Sequence, residues 1–299
     1  MTVDWQTIAD AFGLGGMYAL MAVGIGLVFG VLRLVNFAYG QLIMAGAYAL
    51  AIGSQHNWPE WASVLTCFGV VIGLSLLMEI GLFRPLRGAS PATMLVATFA
   101  VAFLLQAIAL LKFGPLVKTA SIFPGLFNPI AHGQFETVRK ITVVAIIAAV
   151  LALGALTLLL AKTTIGLHMR AASADFQTAR LLGVRANEVV TFAVVLSGVL
   201  AAVVSVILVV QDPFVEPQFA LRDTIIVLVG VVVGGLDRLW TATLGGFAIG
   251  VATSVFTDEL SSAHSVYVDS FVFGLVILVL LVRPDGLFAP FSGRAVERA

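Results

Sequence analysis

Most of the chain consists of long apolar runs separated by short charged or turn-rich breaks. Several runs contain the roughly 18 to 20 residues with which a helix crosses about 30 Å of hydrocarbon. Because a helix satisfies its own backbone hydrogen bonds in lipid, the pattern predicts an all-α, polytopic integral membrane bundle. We expect about nine spans, at 8–32, 37–53, 61–82, 91–111, 141–161, 189–210, 222–236, 239–257 and 266–282. The second and seventh are short, so eight spans is the alternative.

The composition indicates the same class. The chain is 60% hydrophobic and 11% charged, with a mean hydropathy of +1.08, whereas soluble domains are about a quarter charged. We therefore expect a single transmembrane domain over residues 1–299. Lysine and arginine equal aspartate and glutamate in number, so the net charge gives no sign of a nucleic-acid partner.

The placement of basic residues predicts the orientation, because cytoplasmic loops carry an excess of lysine and arginine. The first run is longer than the apolar region of a cleavable signal and should remain as a span. Placing the N-terminus outside puts the C-terminus and the 162–188 loop in the cytoplasm and the 112–140 loop outside. Few basic residues then lie outside, namely Lys112, Lys118, Arg139, Lys140 and Arg222.

Side chains that could carry catalysis or bind a metal are few and scattered. Cys67 is the single cysteine and falls in an apolar run. The histidines lie in predicted loops without a paired nucleophile or metal-site spacing: His56, His132, His168 and His264. The sequence also lacks a GxxxxGK[ST] phosphate loop. We therefore expect no catalytic residue, no metal site and no cofactor in this chain, which argues against an intramembrane enzyme.

Two interruptions of the apolar pattern, at 33–40 and 234–238, are candidates for a substrate path. Short or glycine-interrupted segments in corresponding positions are typical of broken helices that line such a path. The alternative is that both are cytoplasmic turns, and neutral polar side chains inside spans usually bond neighbouring helices. The candidate path residues are Asn36, Phe37, Tyr39 and Gln41 at the first interruption and Gln106 in the fourth span.

Charged side chains cluster at the ends of the predicted spans. A charge at the bilayer centre costs about 2.5 to 3.5 kcal/mol on insertion scales. Glu79 is near the end of the third span and close to Arg84, so we interpret it as an interface residue. No acid stands where a proton relay would need it, which ranks ion-coupled secondary transport low.

The most polar segment of the chain is the predicted cytoplasmic loop 162–188. Ser173 can cap a helix that Gly183 ends, with Asp175 in its first turn. The predicted helix is about ten residues long and presents a narrow apolar stripe, formed by Phe176, Ala179, Leu182 and Gly183. The stripe could dock into another protein, or the helix could lie on the membrane surface with Arg170, Arg180 and Arg185 at the headgroups.

Six strings in order resemble the bacterial ABC importer permeases of the branched-chain amino acid (LivH-like) family. They are Gly16-Met-Tyr18-Ala-Leu-Met-Ala-Val-Gly24, Arg33-Leu-Val-Asn36-Phe-Ala-Tyr39-Gly40, Arg84-Pro-Leu-Arg87-Gly-Ala-Ser-Pro91, Arg170-Ala-Ala with Ala179-Arg-Leu-Leu-Gly183-Val, Leu228-Val-Gly-Val-Val-Val-Gly234-Gly-Leu and Arg283-Pro-Asp-Gly-Leu-Phe288. The chain departs from the family pattern at Tyr39, where histidine is common, and at Asp237-Arg238 after the Gly-Gly-Leu.

The resemblance implies a multi-pass permease subunit of the bacterial inner membrane that carries branched-chain or other amino acids, with urea or short amides as the alternative cargo. It implies a second homologous permease, an extracytoplasmic binding protein and two cytoplasmic ATPases that bind ATP and magnesium. It also favours docking over surface adsorption for the loop. The implied ATPase-coupling residues are Arg170, Ala171, Asp175, Phe176, Ala179, Leu182 and Gly183.

Overall fold

The computed structural model describes residues 5–32, 35–127, 140–174, 176–235, 239–260 and 267–283. These residues form eleven α-helices: α1 (Trp5–Leu32), α2 (Tyr39–Gln55), α3 (Glu60–Met78), α4 (Pro91–Phe113), α5 (Lys140–Lys162), α6 (Thr164–Ala174), α7 (Phe176–Leu181), α8 (Ala186–Gln211), α9 (Leu221–Gly234), α10 (Leu239–Glu259) and α11 (Val268–Val282). A π-helical turn, Glu79–Phe83, continues α3, and a 3-10 turn covers Pro124–Phe127.

The all-α membrane class is confirmed, because six helical segments in the described residues are long and apolar enough to cross a bilayer. They are Thr7–Leu32, Glu60–Phe83, Pro91–Phe113, Lys140–Lys162, Asn187–Gln211 and Leu239–Glu259. A helix also lies at each of the three other predicted spans. These helices, α2, α9 and α11, have 17, 14 and 15 residues, which gives lengths of only about 21 to 26 Å.

Helix α1 is the centre of the bundle. It contacts α10, α8, α5 and α9, and 78% of its apolar window is buried. The corresponding windows of the third, fourth and fifth predicted spans are 28%, 22% and 17% buried. Those helices therefore present most of their apolar side chains outward, to lipid or to another membrane subunit.

Glycines allow α1 and α10 to pack at backbone distance. A Cβ atom on Gly250 would lie 2.7 Å from the Cα of Gly15, and one on Gly246 would lie 2.8 Å from the carbonyl oxygen of Tyr18. Side chains cannot be inserted at such distances, so glycine is required at these positions. Helices α9 and α10 are equally close. A Cβ atom added to Gly245 would lie 2.2 Å from the carbonyl oxygen of Gly230.

The 112–140 loop, predicted to lie outside, contacts the connection between α8 and α9. Strand β1 (Lys118–Thr119) pairs antiparallel with β2 (Phe214–Val215), with Lys118 opposite Val215. Next to this pair, Ala120 donates its N–H to the Pro213 carbonyl at 2.9 Å. The connection before α5 and the connection before α9 are thus joined at one end of the bundle.

Candidate functional site

The start of α2 lies inside the bundle and is held by a local turn. Asn36 is only 2% exposed, and its Oδ1 accepts a hydrogen bond from the Ala38 N–H at 3.1 Å. The Asn36 carbonyl accepts from the Tyr39 N–H at 3.3 Å. Asparagine is suited to such a turn because its side chain can replace a backbone acceptor. One role of this predicted path residue is therefore to begin α2.

Two further predicted path residues carry buried polar atoms without a partner. Tyr39 and Gln41 are 0% and 1% exposed, and neither the Tyr39 hydroxyl nor Gln41 Oε1 has a hydrogen-bond partner among the described residues. The Tyr39 side chain packs against Gly24 of α1, where an added Cβ would lie 2.1 Å from the hydroxyl. Since buried polar groups are nearly always bonded, such atoms are candidates for a ligand contact.

The first turns of α2 and α9 touch. A Cβ on Gly40 would lie 2.4 Å from Thr224 Oγ1 and 3.0 Å from the Ala220 carbonyl. Both helices are short, and their N-terminal ends carry the partial positive charge of the unpaired amides. The structure thus brings the starts of two short helices together, but the second start is at residue 221 and not at the predicted interruption 234–238. Residues 236–238 lie outside the described residues.

The remaining two predicted path residues are connected with α4. The half-buried ring of Phe37 stacks on Phe99, with ring centroids 3.9 Å apart and planes at 22°. Phe99 in turn stacks on Phe103 at 6.4 Å. Gln106 follows at helical spacing, so Phe99, Phe103 and Gln106 lie on one face of α4. Gln106 is half-buried and belongs to this face, separate from the group at the start of α2.

Sequence reasoning missed a polar pair between α1 and α9. The Tyr18 hydroxyl, at the middle of α1, donates to Asp223 Oδ1 at 2.7 Å. The neighbouring Arg222 forms an ion pair with Asp269 at the start of α11, with Nη2 and Oδ1 2.5 Å apart. Asp223 lies in the first turn of α9, at a span end as expected for charged residues, but its bond to Tyr18 was not predicted. A tyrosine in the middle of an apolar run was the available signal.

Two further acids, Asp10 and Asp258, line a small polar cavity near the N-terminal end of α1. The cavity has a volume of about 250 Å³ and includes Asp10, Thr142, Gln211 and Asp258 in its lining. Thr142 donates to Asp10 Oδ1 at 3.2 Å. Because these acids are present, a lack of acids is no argument against ion-coupled transport. The class of transporter has to be decided on other grounds.

The predicted single helix over 173–183 was wrong, because the loop forms the two helices α6 and α7. Helix α6 begins at Thr164, where Thr163 Oγ1 accepts from the Gly166 N–H at 3.0 Å. Ser173 lies within the last turn of α6, and its hydroxyl donates back to the Arg170 carbonyl at 2.9 Å. Asp175 lies outside the described residues, as does the side chain of Phe176.

The predicted end of the helix at Gly183 is confirmed. Gly183 has φ of +90°, and the Val184 N–H bonds to the Ala179 carbonyl at 3.0 Å, which is the pattern of a glycine-terminated helix. The predicted apolar stripe is divided, because Ala179 is 4% exposed and Leu182 is 80% exposed. Leu181, which the sequence argument omitted, is 88% exposed. The free apolar surface at this end of α7 is therefore Leu181 and Leu182.

The other predicted coupling residues, Arg170 and Ala171, lie on α6. Arg170 is exposed and Ala171 is half-buried. After α7, the exposed Arg185 forms an ion pair with Glu188 at 2.8 Å. The hydrogen bond that Arg185 donates to Glu188 and the negative charge of Glu188 raise the pKa of Arg185 above its ordinary value, so this guanidinium remains charged. The described part of the 162–188 loop thus presents three exposed cations and three exposed leucines, namely Lys162, Arg170, Arg185, Leu167, Leu181 and Leu182.

Glu79, interpreted from the sequence as an interface residue close to Arg84, is a buried ion-pair residue. It is 1% exposed and accepts a hydrogen bond from Arg87 Nη2. Arg84 Nε lies 4.0 Å from the same carboxylate. Arg87 also donates through Nη1 to Asn187 Oδ1, in the first turn of α8. This cluster joins the π-helical turn at the end of α3 to Asn187 at the start of α8.

A sequence profile of the family described as "Branched-chain amino acid transport system / permease component" matches residues 7–281. The chain belongs to this family.

Relatives of full length agree with this assignment. The permease is 27% identical to "High-affinity branched-chain amino acid transport system permease protein BraD" of Pseudomonas aeruginosa and 28% identical to the corresponding protein LivH of Escherichia coli strain K12. Each alignment covers 94% of both chains. The fold is similar to "An inward-facing conformation of a putative metal-chelate type ABC transporter", with a TM-score of 0.55 and 17% identity over 95% of this chain and 89% of that one.

The homologues are transport permease subunits of ABC systems, which is the class that the sequence strings indicated. Together with the apolar helices, the family makes this chain a multi-pass protein of the bacterial inner membrane. The matched proteins are transport permease subunits, which is consistent with a non-enzymatic role.

We predict that Arg87→Gln destabilises the permease by about 3 kcal/mol, because it leaves Glu79 as a buried carboxylate without its closest cation. Glu79→Gln with Arg87→Gln should restore most of the loss, since the double change removes both charges. Thermal unfolding of the detergent-purified protein measures both effects. Arg185→Gln is the matched control, as its ion pair is exposed and should contribute less than about 1 kcal/mol. Equal melting temperatures for Arg87→Gln and Arg185→Gln would contradict the assignment.

Proposed function

We propose that this chain is the permease subunit of an ATP-driven importer for branched-chain amino acids. It pairs with a second homologous permease, receives its substrate from an extracytoplasmic binding protein and is driven by two cytoplasmic ATPases that bind ATP and magnesium. The observation that carries the proposal is the family match over residues 7–281. The full-length relatives named as branched-chain amino acid permeases support the same cargo.

We further propose that all nine apolar helices of the described residues cross or enter the membrane, with the N-terminus outside and the C-terminus in the cytoplasm. The bias of basic residues supports this orientation. The pairing of β1 with β2 agrees with it, because both connections are then on the outer side. Helices α6 and α7 are on the cytoplasmic side in this arrangement, where the ATPases bind.

The substrate path runs past the start of α2. The unpartnered hydroxyl of Tyr39 and Oε1 of Gln41 offer neutral hydrogen-bonding groups, and the Phe37 ring on Phe99 offers an apolar surface for an aliphatic side chain. Asn36 positions this group, and Gln106 extends it along the α4 face. A neutral path suits a zwitterionic substrate that must be released again. Tight binding within the membrane would slow that release.

The ATPase contact is the surface formed by Arg170, Ala171, Leu181, Leu182 and Gly183. Two exposed leucines beside cations match the ordinary composition of a protein interface, with an apolar centre and a polar rim. Ala179 supports this surface from beneath, because its side chain is buried. Asp175 and Phe176 belong to the same loop and complete the proposed contact set.

Force applied to the loop has a direct route into the membrane part. Asn187 lies shortly after α7 in the sequence and bonds to Arg87, which holds Glu79 of the π-helical turn. A displacement of the loop would therefore move the end of α3 together with the start of α8. An effector can shift an equilibrium only through contacts that differ between the two states. The proposed mechanism requires that this cluster rearranges between outward and inward states.

The function is tested by copurifying the permease with its partner subunits and reconstituting the complex in proteoliposomes with the binding protein. We expect uptake of leucine, isoleucine or valine that requires all subunits and ATP on the side of the vesicle membrane where the ATPases are bound. Calorimetry of the binding protein against these amino acids, urea and short amides identifies the cargo. Uptake by the isolated chain under an ion gradient would refute the importer assignment, whereas selective binding of urea would refute only the cargo.

The ATPase contact is tested by Leu182→Asp. A buried charge in an apolar contact should lower substrate-stimulated ATP hydrolysis of the complex by about tenfold, while membrane insertion persists. Leu116→Asp is the matched control, because Leu116 is 77% exposed in the opposite loop. If Leu182→Asp leaves hydrolysis and copurification at the level of Leu116→Asp, α7 is not the contact.

The path is tested by Tyr39→Phe, which removes a buried hydroxyl without changing the ring. Transport by the complex should fall by about three- to tenfold, the value of one hydrogen bond to substrate, while the melting temperature stays constant or rises. Tyr48→Phe is the control, since the Tyr48 hydroxyl on the same helix is also unpartnered and its ring stacks on Phe113. Unchanged transport in Tyr39→Phe would exclude this hydroxyl from the path.

A further inference from the structure

A large cavity lies between α1, α5, α6 and α10, at the end of the bundle that carries α6. Its volume is about 570 Å³, within the range of sites that hold small molecules. The walls are apolar and include Leu156 and Leu160 of α5. It is separate from the start of α2 and from the leucine pair on α7, and Arg170 is the one residue of the proposed ATPase contact that lines it.

The described residues do not fill this cavity. Gly30 of α1 lines it, and an added Cβ on Gly30 would meet no described atom within 4 Å. Close packing is the rule in protein interiors, and an apolar void of this size is costly when it stays empty. The geometry therefore points to an apolar occupant from outside the described residues.

The rim of the cavity identifies the chemistry of the rest of that occupant. Arg170 of α6 lines the cavity and is exposed, and no acidic side chain of the described residues lines it. A guanidinium binds phosphate oxygens with two parallel hydrogen bonds. Trp240, at the start of α10, lines the same rim and is 53% exposed. Tryptophan is enriched at the level of the lipid headgroups.

We propose that the cavity binds one acyl chain of an anionic phospholipid from the leaflet on the α6 side, with the phosphate held by Arg170. The apolar walls receive the chain, Trp240 marks the headgroup level, and the cation selects an anionic over a zwitterionic headgroup. This site is independent of the cargo in the proposed function, and it shares only Arg170 with the proposed ATPase contact. It places a lipid directly against α6, the helix that begins the proposed coupling loop.

The test is native mass spectrometry of the full-length detergent-purified permease with phosphatidylglycerol or phosphatidylcholine of equal chain length. The wild-type protein should retain phosphatidylglycerol preferentially. Arg170→Gln should reduce this preference by about fivefold, the effect of one basic side chain near an anionic surface. Lys162→Gln is the charge control, because Lys162 ends α5 close to the rim but does not line the cavity.

Occupation of the cavity is tested separately by Gly30→Leu, which fills open space and should abolish retention of both lipids. Gly154→Leu is the matched control, since its added Cβ also meets no described atom within 4 Å and it does not line the cavity. Thr157→Trp fills the cavity from the α5 side and repeats the test at a second position. The proposal is wrong if Gly30→Leu and Thr157→Trp retain as much lipid as Gly154→Leu does. It is also wrong if Arg170→Gln leaves the headgroup preference unchanged.

Discussion

Helices that begin inside a membrane bundle must satisfy their first amides without water, and this constraint organises the centre of the permease. The start of α2 meets it with the Asn36 side chain and the Asn36 and Ala38 carbonyls. At the start of α9 the Leu221 N–H donates to the Gln218 carbonyl at 2.9 Å, and Asp223 stands in the first turn. Polar residues are therefore required where the two helices touch. The same requirement concentrates hydrogen-bonding groups in the region that we assign to the substrate path.

The central position of α1 follows from its glycines. Because Gly15 and Gly24 leave space for a neighbouring backbone and for the Tyr39 ring, α10 and α2 both approach α1 closely. The short helices can then be supported from within the bundle. Substitutions that enlarge these positions would separate the helices and expose the polar start of α2 at the same time.

Local patterns in the sequence were enough to locate the helices and the helix end at Gly183, because apolar length and a glycine C-terminal signal act over a few residues. The candidate site was predicted only in part. Tyr18 and Asp223 are 205 positions apart in the chain, and Arg87 and Asn187 are 100 apart, so no spacing rule connects them. The start of α6 was missed because two threonines and a serine in the loop can each cap a helix, and the structure uses Thr163.

The Tyr18–Asp223 pair bears directly on the class of transporter. A carboxylate inside a bundle is costly unless it accepts hydrogen bonds, and here it has a tyrosine hydroxyl and the amide end of α9 nearby. A group held in this way stabilises the meeting point of α1 and α9. This structural role explains the presence of the carboxylate without any exchange of protons. An in-span acid is therefore compatible with a permease whose energy comes from ATP hydrolysed by its partners, and its presence alone does not indicate ion coupling.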